Sequence, residues 1–486
     1  MELNEILAQR RAKLEALEAK GINPYGASCL ANRVEIGVLI SGFKEGAQEA
    51  VKVSASGRIM AKRLHGKVLF MDLRDSTGKI QLYVKADYVG KDKFELFEQI
   101  DIADTINVKG EIFKTHTGEL TIKVEDFTVL SKALRPLPEK WHGLKDVELR
   151  YRQRYLDLIS NEEVRKVFLQ RSKILLSLRK FLDESGYLEV ETPMMHDIPG
   201  GAAGRPFKTH HNEYNMELTL RIAPELYLKR LLVGGLDKVY EINRSFRNEG
   251  VSTKHNPEFT MLEVYCAYAN VEDMMQLTEN LVSSIAKEVL GTTKIVFADK
   301  EIDLAPPWQR RSFAQMVKDK FNIDPSDDIL VMLAKLQEKG FAKEKNRLTR
   351  SQINKIIEEI LEQDMTMNPT FITDYYTSLC PLAKTRQDNP LISERFELYV
   401  AGMEIANAYS ELNNPIEQRR RFEEEIKELD TQEKKVVDDD YVLALEHGMP
   451  PAGGLGIGID RLVMLLTGQP SIRDVILFPL LRPGKE

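Results

Sequence analysis

Cysteine is scarce: Cys29, Cys266 and Cys380 are odd in number, far apart and never in a Cys-x-x-Cys pair. They build neither a disulfide framework nor a cysteine-ligated zinc site. Long apolar runs are missing too. None approaches the roughly 20 residues that a bilayer crossing needs, and the opening Met1-Glu-Leu-Asn-Glu5 carries acids where a secretory signal needs an apolar core. The expectation is a cytosolic chain without a membrane segment. Charge of one sign is also in short supply: 68 Lys and Arg against 75 Asp and Glu leave a net charge of −7. Any nucleic-acid surface must therefore be a local basic face on an acidic protein. What is present is 486 residues, 43% hydrophobic and 29% charged, which is the composition of a globular chain too long for one ordinary core. No internal repeat is visible.

Periodicity divides the chain. Residues 1–50 form an N-terminal helical extension, in which Leu3, Ile6, Leu7, Leu14 and Leu17 recur at helical spacing and Arg10, Arg11, Lys13 and Lys20 are expected on the exposed side. A charged surface helix and an RNA-backbone contact are both open readings of it. Across 51–133 the period changes to two. Segments 51–60, 67–75, 79–85, 106–113 and 119–130 are β-rich, 92–100 reads as helix, and turns fall at Asp75-Ser-Thr-Gly78 and Thr115-His-Thr-Gly118. Five strands and one helix predict a small closed barrel of the oligonucleotide-binding type. Residues 134–150, with Leu134-Arg-Pro-Leu-Pro138 and His142-Gly143, read as a linker. Residues 151–486 alternate helix and strand patterns and predict a large α+β domain with a helical insertion at about 311–363.

Three constellations in the large domain carry chemistry. Lys173 to Pro193 is an amphipathic helix that stops at Gly186 and leads to a short strand closed by Pro193. Segments 238–246 and 259–268 flank a polar loop, predicting an antiparallel hairpin with a long tip. Arg247, Glu249, Glu258 and Glu263 fall in or beside it, and charges there need partners: a buried salt-bridge network or a ligand-facing sheet. Gly453-Gly-Leu-Gly-Ile-Gly-Ile-Asp-Arg461 is glycine-rich strand running into an apolar helix. It matches neither the dinucleotide fingerprint nor a P-loop.

In this order and spacing the three resemble motifs 1, 2 and 3 of the class II aminoacyl-tRNA synthetases, over essentially the full length. Arg244-Ser-Phe-Arg-Asn-Glu-Gly250, His255-Asn-Pro-Glu-Phe-Thr260, Ala223-Pro-Glu-Leu-Tyr227 and Asn407-Ala-Tyr-Ser-Glu-Leu412 are similar to those of the bacterial-type lysyl-tRNA synthetases. The resemblance implies an N-terminal OB-fold barrel that binds the anticodon and a catalytic domain built on an antiparallel sheet flanked by helices. It implies a ligase that joins lysine to ATP as an adenylate and passes it to tRNA(Lys), with L-lysine, ATP and tRNA(Lys) as partners, magnesium as cofactor and a homodimer through the first motif. Arg247 would bridge the lysine carboxylate and the α-phosphate, and Arg461 would hold the γ-phosphate end, where planar guanidinium groups suit growing oxygen charge. Phe259 would stack on adenine, with Glu249, His255 and Asn256 lining the nucleotide site. Glu397 and Glu404 would bind magnesium through hard oxygen ligands. Gly201 and Glu225 would meet the α-ammonium, Asn407 the carboxylate, and Glu263, Tyr265 and Glu411 the side-chain amine. Tyr409, where the family often has phenylalanine, reads as a packing variant.

In the barrel the pleat makes an independent argument: Leu69, Met71 and Leu73 point one way with Ile80, Leu82 and Val84, leaving Phe70 and Gln81 outward. An exposed aromatic beside an amide suits base stacking and edge recognition. Phe70, Gln81, Arg63 and Glu119 match the family positions that read the anticodon. The rival readings are an aspartyl- or asparaginyl-tRNA synthetase, which needs a cationic pocket, a paralogue that lysylates protein, a non-catalytic relative and a simple single-strand RNA binder.

Overall fold

The computed structural model describes residues 3–26, 30, 32–43, 51–138, 144–202, 204–341, 348–428 and 436–483; Cys29, His142 and Gly143 lie outside them. The chain divides into two compact units, 1–145 and 146–486.

In the first unit, alternation dictates the architecture. Strands β1 (Lys52–His65), β2 (Val68–Arg74), β3 (Lys79–Lys85), β4 (Thr105–Lys114) and β5 (Leu120–Ser131) close into a barrel in the order β1-β2-β3-β5-β4. Leu69, Met71, Leu73, Ile80, Leu82 and Val84 all fill the interior, as the period of two requires. β1 runs five residues beyond its apolar stretch. A bulge between Ile59 and Ala61 lets the polar tail Lys62–His65 keep pairing with β2. Arg11 and Lys20 are exposed as expected, but the helix Leu3–Ala19 turns Arg10 and Lys13 towards the barrel. Arg10 is buried and donates to the carbonyls of Ile102, Ala133 and Arg135, while Lys13 Nζ pairs with Asp101 at 2.5 Å. These two side chains fasten the helix to the barrel.

In the second unit, β6 (Leu188–Glu189), β10 (Lys238–Phe246), β11 (Glu258–Ala267), β14 (Gln309–Ser312), β15 (Thr370–Thr373), β16 (Arg395–Val400), β17 (Met403–Ser410) and β18 (Ala452–Gly458) form one sheet. Its order is β14-β15-β16-β17-β18-β11-β10-β6, antiparallel except at the two edge pairs. The shorter strands β7 (Met195–His196), β8 (Lys208–His211) and β9 (Met216–Leu220) form a small sheet, and β12 (Lys294–Phe297) pairs with β13 (Lys300–Asp303). Helices Glu162–Glu184 and Val271–Leu290 cover one face of the large sheet. Ile174, Leu178, Leu281 and Ile285 pack there against Leu262, Val264, Leu455 and Ile457. Asn270 caps the second of these helices through a reciprocal capping box with Asp273. Helices Phe313–Phe321, Ile329–Glu338 and Arg350–Glu362 enclose a core of their own that includes Tyr375 and Tyr399. The other face of the sheet is left for chemistry.

Candidate active site

Period two also builds the site. On β18, Leu455 and Ile457 face the helices, so Gly454, Gly456 and Gly458 face the opposite way, and a row of missing side chains makes a trough. The neighbouring strands supply its walls. Glu263 of β11 and Asn407 of β17 flank Gly456, and Tyr265 and Tyr409 flank Gly454. Absence of a side chain is essential at Gly454. A Cβ there would lie 2.6 Å from Tyr265 Cε1 and would collide with the carboxylate of Glu411. The trough opens into a cavity of about 940 Å³.

At one end of the trough are acids. Glu263 is buried, accepts a hydrogen bond from Tyr265 Oη at 3.2 Å and pairs with no cation among the described residues. Burial, with Glu225 nearby, pushes its carboxyl up to about 8. Glu225 opens the helix Glu225–Val233 beside Gly201, whose positive φ of 84° leaves it close to the Glu225 side chain. Tyr409 Oη donates to Glu225 Oε1 at 2.6 Å, so Tyr409 is more than the packing variant expected. Gly201, Glu225, Glu263, Tyr265, Asn407 and Tyr409 line the cavity; Glu411, buried and ion-paired to Lys229, has one carboxylate oxygen where a Cβ on Gly454 would project.

At the other end are guanidinium groups. Arg247 and Glu249 follow β10 in the loop rather than lying within the strand, and Glu258, exposed and 3.8 Å from Arg244, is not part of the cavity wall. Arg247 lies 5.2 Å from the Phe259 ring centroid, and its Nε is buried without a hydrogen-bond partner among the described residues, as is Asn256 Oδ1. Arg461, in the first turn of the helix Ile459–Thr467, donates to the Glu404 carbonyl at 2.7 Å and to Glu404 Oε2 at 3.0 Å. Its other amino group is 3.1 Å from His255 Nε2, and burial together with this cation holds the His255 imidazole below its ordinary range.

Glu397 and Glu404 stand on the adjacent strands β16 and β17. Glu397 accepts from Tyr375 Oη at 2.7 Å, Tyr399 Oη at 2.9 Å and Arg395 at 2.5 Å; burial and the Glu404 charge push its carboxyl up. Two hard oxygen donors that repel one another fit a divalent cation. Among the described residues no group of three or more His, Cys, Asp or Glu forms a metal cage, so a cation here would lean on these two acids and on substrate oxygens.

On the barrel, Arg63, Phe70 and Gln81 share one groove, while Glu119 is exposed beyond its lining. Phe70 meets Tyr83 edge-on at 5.5 Å, and Tyr83 meets Phe113 and Tyr88 at 6.2 Å each. Basic side chains from Arg63, Lys114 and Lys123 border these rings.

Residues 146–482 match the family model described as tRNA synthetases class II (D, K and N). The chain belongs to the class II tRNA synthetases. Residues 53–130 of this synthetase match an OB-fold nucleic acid binding domain. It is 54% identical to the lysine–tRNA ligase of Pelotomaculum thermopropionicum over 99% of this chain and 96% of that one. It is 53% identical to that of Carboxydothermus hydrogenoformans over 99% of both, and 51% identical to that of Bacillus subtilis over 99% and 98%. As a class II tRNA synthetase it takes an amino acid, ATP and tRNA as substrates. Among the described residues no helix is long and apolar enough to cross a membrane. The synthetase site holds groups that the sequence reading missed: Lys229, and the Tyr375, Tyr399 and Arg395 that hold Glu397. Lys229 was detectable as the i+4 partner of Glu225 on one helix. Glu358 and Glu362, reaching the cavity from the helix Arg350–Glu362, carried no signal of their own.

Proposed function

We propose that this chain is a lysine–tRNA ligase. The observation that carries the reading is Glu263, a buried acid with no cation of its own on a cavity wall that also presents Arg247. A neutral or acidic side chain would leave that carboxylate uncompensated or repelled, whereas an ε-ammonium completes it. An aspartate or asparagine pocket needs the opposite sign. In the first step an oxygen of the lysine carboxylate attacks the α-phosphorus of ATP. The bond to the bridging oxygen breaks, and lysyl-adenylate and pyrophosphate result. Arg247 bridges the two reacting groups and steadies charge on the α-phosphate, and Arg461 holds the γ end. Phe259 stacks on adenine beside Glu249, His255 and Asn256, while Asn407 steadies the carboxylate and Glu225 with the Gly201 backbone takes the α-ammonium. Catalysis is positioning plus electrostatics, with no covalent enzyme intermediate. Glu397 and Glu404 would hold magnesium, which when bound would neutralise phosphate charge. In the second step the 3′-terminal hydroxyl of tRNA(Lys) attacks the lysyl carbonyl carbon and AMP leaves.

Residues 51–133 bind the anticodon through Phe70, Gln81, Arg63 and Glu119, and residues 151–486 carry out catalysis in the cytosol. The aromatic and basic groove supports the first assignment. A homodimer forms through the first motif, a reading supported by apolar side chains left exposed there, Leu176 at 69% and Leu188 at 52%. The test is an amino-acid screen of ATP–pyrophosphate exchange with purified protein: lysine alone among the standard amino acids drives strong exchange. Exchange driven by aspartate or asparagine, or none with lysine, overturns the reading.

A further inference from the structure

Alternation on two neighbouring strands gathers a polar cluster where the amino-acid and nucleotide ends of the site meet. Arg395 and Glu397 stand two residues apart on β16, and Asn407 of β17 lies directly across from Glu397. A period of two puts all three on one face, and all three line the cavity. The Arg395 side chain is only 11% exposed. Its Nε donates to Asn407 Oδ1 at 3.1 Å, and one amino group donates to the Leu379 carbonyl at 3.4 Å and to Cys380 Sγ at 3.1 Å. The other amino group donates to Glu397 Oε1 at 2.5 Å, and the Tyr375 ring centroid lies 4.6 Å from the guanidinium carbon. Held by four acceptors and a ring, this side chain has little freedom to turn.

A guanidinium offers donors only, so whatever faces it must accept. The Asn407 amide is therefore held with its oxygen towards Arg395. Its Nδ2 group is left over: among the described residues it makes no hydrogen bond, and Asn407 lines the cavity. The trough thereby presents a donor at this place, which is what a substrate carboxylate needs. An asparagine free to flip would present its oxygen instead and repel that carboxylate. We infer that Arg395 is a positioning residue for the amino-acid site, which, anchored on Glu397, fixes the edge of the Asn407 amide that meets the lysine carboxylate. The inference rests on the lysine reading above and deepens it, because that carboxylate is the nucleophile of the first step. A lysine in place of Arg395 keeps the charge but lacks the planar fork that reaches both partners.

The test is calorimetric binding to the whole protein, free of nucleotide and metal, of L-lysine and of cadaverine, which is lysine without its carboxylate. Arg395→Lys raises the lysine Kd roughly 10-fold, the scale of one hydrogen bond to a charged group, and leaves the cadaverine Kd within about twofold. In an Asn407→Ala background the same substitution moves the lysine Kd by less than about twofold, because the amide that it orients is gone. Three results overturn the inference: a parental lysine Kd in Arg395→Lys, equal weakening of both ligands, or an undiminished effect in the Asn407→Ala background. Equal weakening is what a purely structural role gives. Should Arg395→Lys fail to fold, Asn407→Asp decides with Arg395 intact. A carboxylate there accepts on both edges, so lysine binds roughly 10-fold more weakly while cadaverine binds no worse. A parental lysine Kd in that variant, or cadaverine weakened as much as lysine, overturns the inference. A parent protein that binds no lysine sinks the lysine reading itself, a different result from any of these.

Discussion

Replacing Glu263 by glutamine separates function from stability in opposite directions. The carboxyl is buried on β11 and held at about 8 against an ordinary 4.5, chiefly by burial. The ligand-free folded protein therefore keeps a proton that the unfolded chain releases. The number of bound protons is greater in the folded state between about pH 4.5 and 8, so stability from this group falls as pH rises through that window. Glutamine mimics the protonated acid, can still accept from Tyr265 and carries no such penalty. Glu263→Gln should be more stable than its parent at pH 8 by an amount on the order of a few kcal/mol, with the gap closing towards pH 5. Lysine binding moves the other way. An ε-ammonium brought into the trough without its carboxylate loses roughly 3 kcal/mol, equivalent to about 150-fold in lysine KM. Pyrophosphate exchange gives the KM, and thermal unfolding at pH 5 and pH 8 gives the stability. A lysine KM within threefold of the parent would refute the placement of the ε-ammonium at Glu263. A melting temperature that drops at pH 8 would refute the burial argument.

Arg247→Ala should abolish lysine-dependent exchange, because the guanidinium beside Phe259 is the cation set to meet both reacting groups; near-full exchange would contradict this role. Phe70→Ala should raise the KM for tRNA(Lys) in charging while sparing lysine activation, and equal loss of both activities would count against the barrel groove as the anticodon surface. Gly454→Ala should both destabilise the protein, by roughly 1–3 kcal/mol as in other overpacked cores, and raise the lysine KM. A calorimetric melt identical to the parent's would mean that Tyr265 and Glu411 have room to give.

What was legible in the sequence was whatever repeats or stands in a motif. The barrel interior followed from alternation in two strands, and the hairpin of β10 and β11 from β-rich segments around a polar loop. The glycines of β18 marked a backbone approach, and the structure adds that alternation aims all three at one trough. The reading failed where one polar residue acts at long range. Arg10 looked like surface charge because helical spacing says nothing about three carbonyls more than 90 residues away. β1 outran its apolar pattern because its last residues are held by backbone pairing and polar side-chain contacts, such as Arg63 with Asp72 across to β2. Glu411 sat in a recognisable motif, but its ion pair with a lysine 182 positions earlier is a contact that only the folded sheet and helix create. Tyr409 was judged by its ring, whereas its hydroxyl decides what it does.

On the proposed reading, the support beneath Glu397 would tie nucleotide chemistry to the packing of the helical insertion. Tyr375 donates to that carboxylate, and its ring is stacked 4.7 Å from Phe313 at the start of the helical insertion. Repacking the insertion would thus register as altered cation affinity at the phosphates before it altered lysine selection. An inserted module of this kind could retune the energetics of activation while the glycine trough stays untouched.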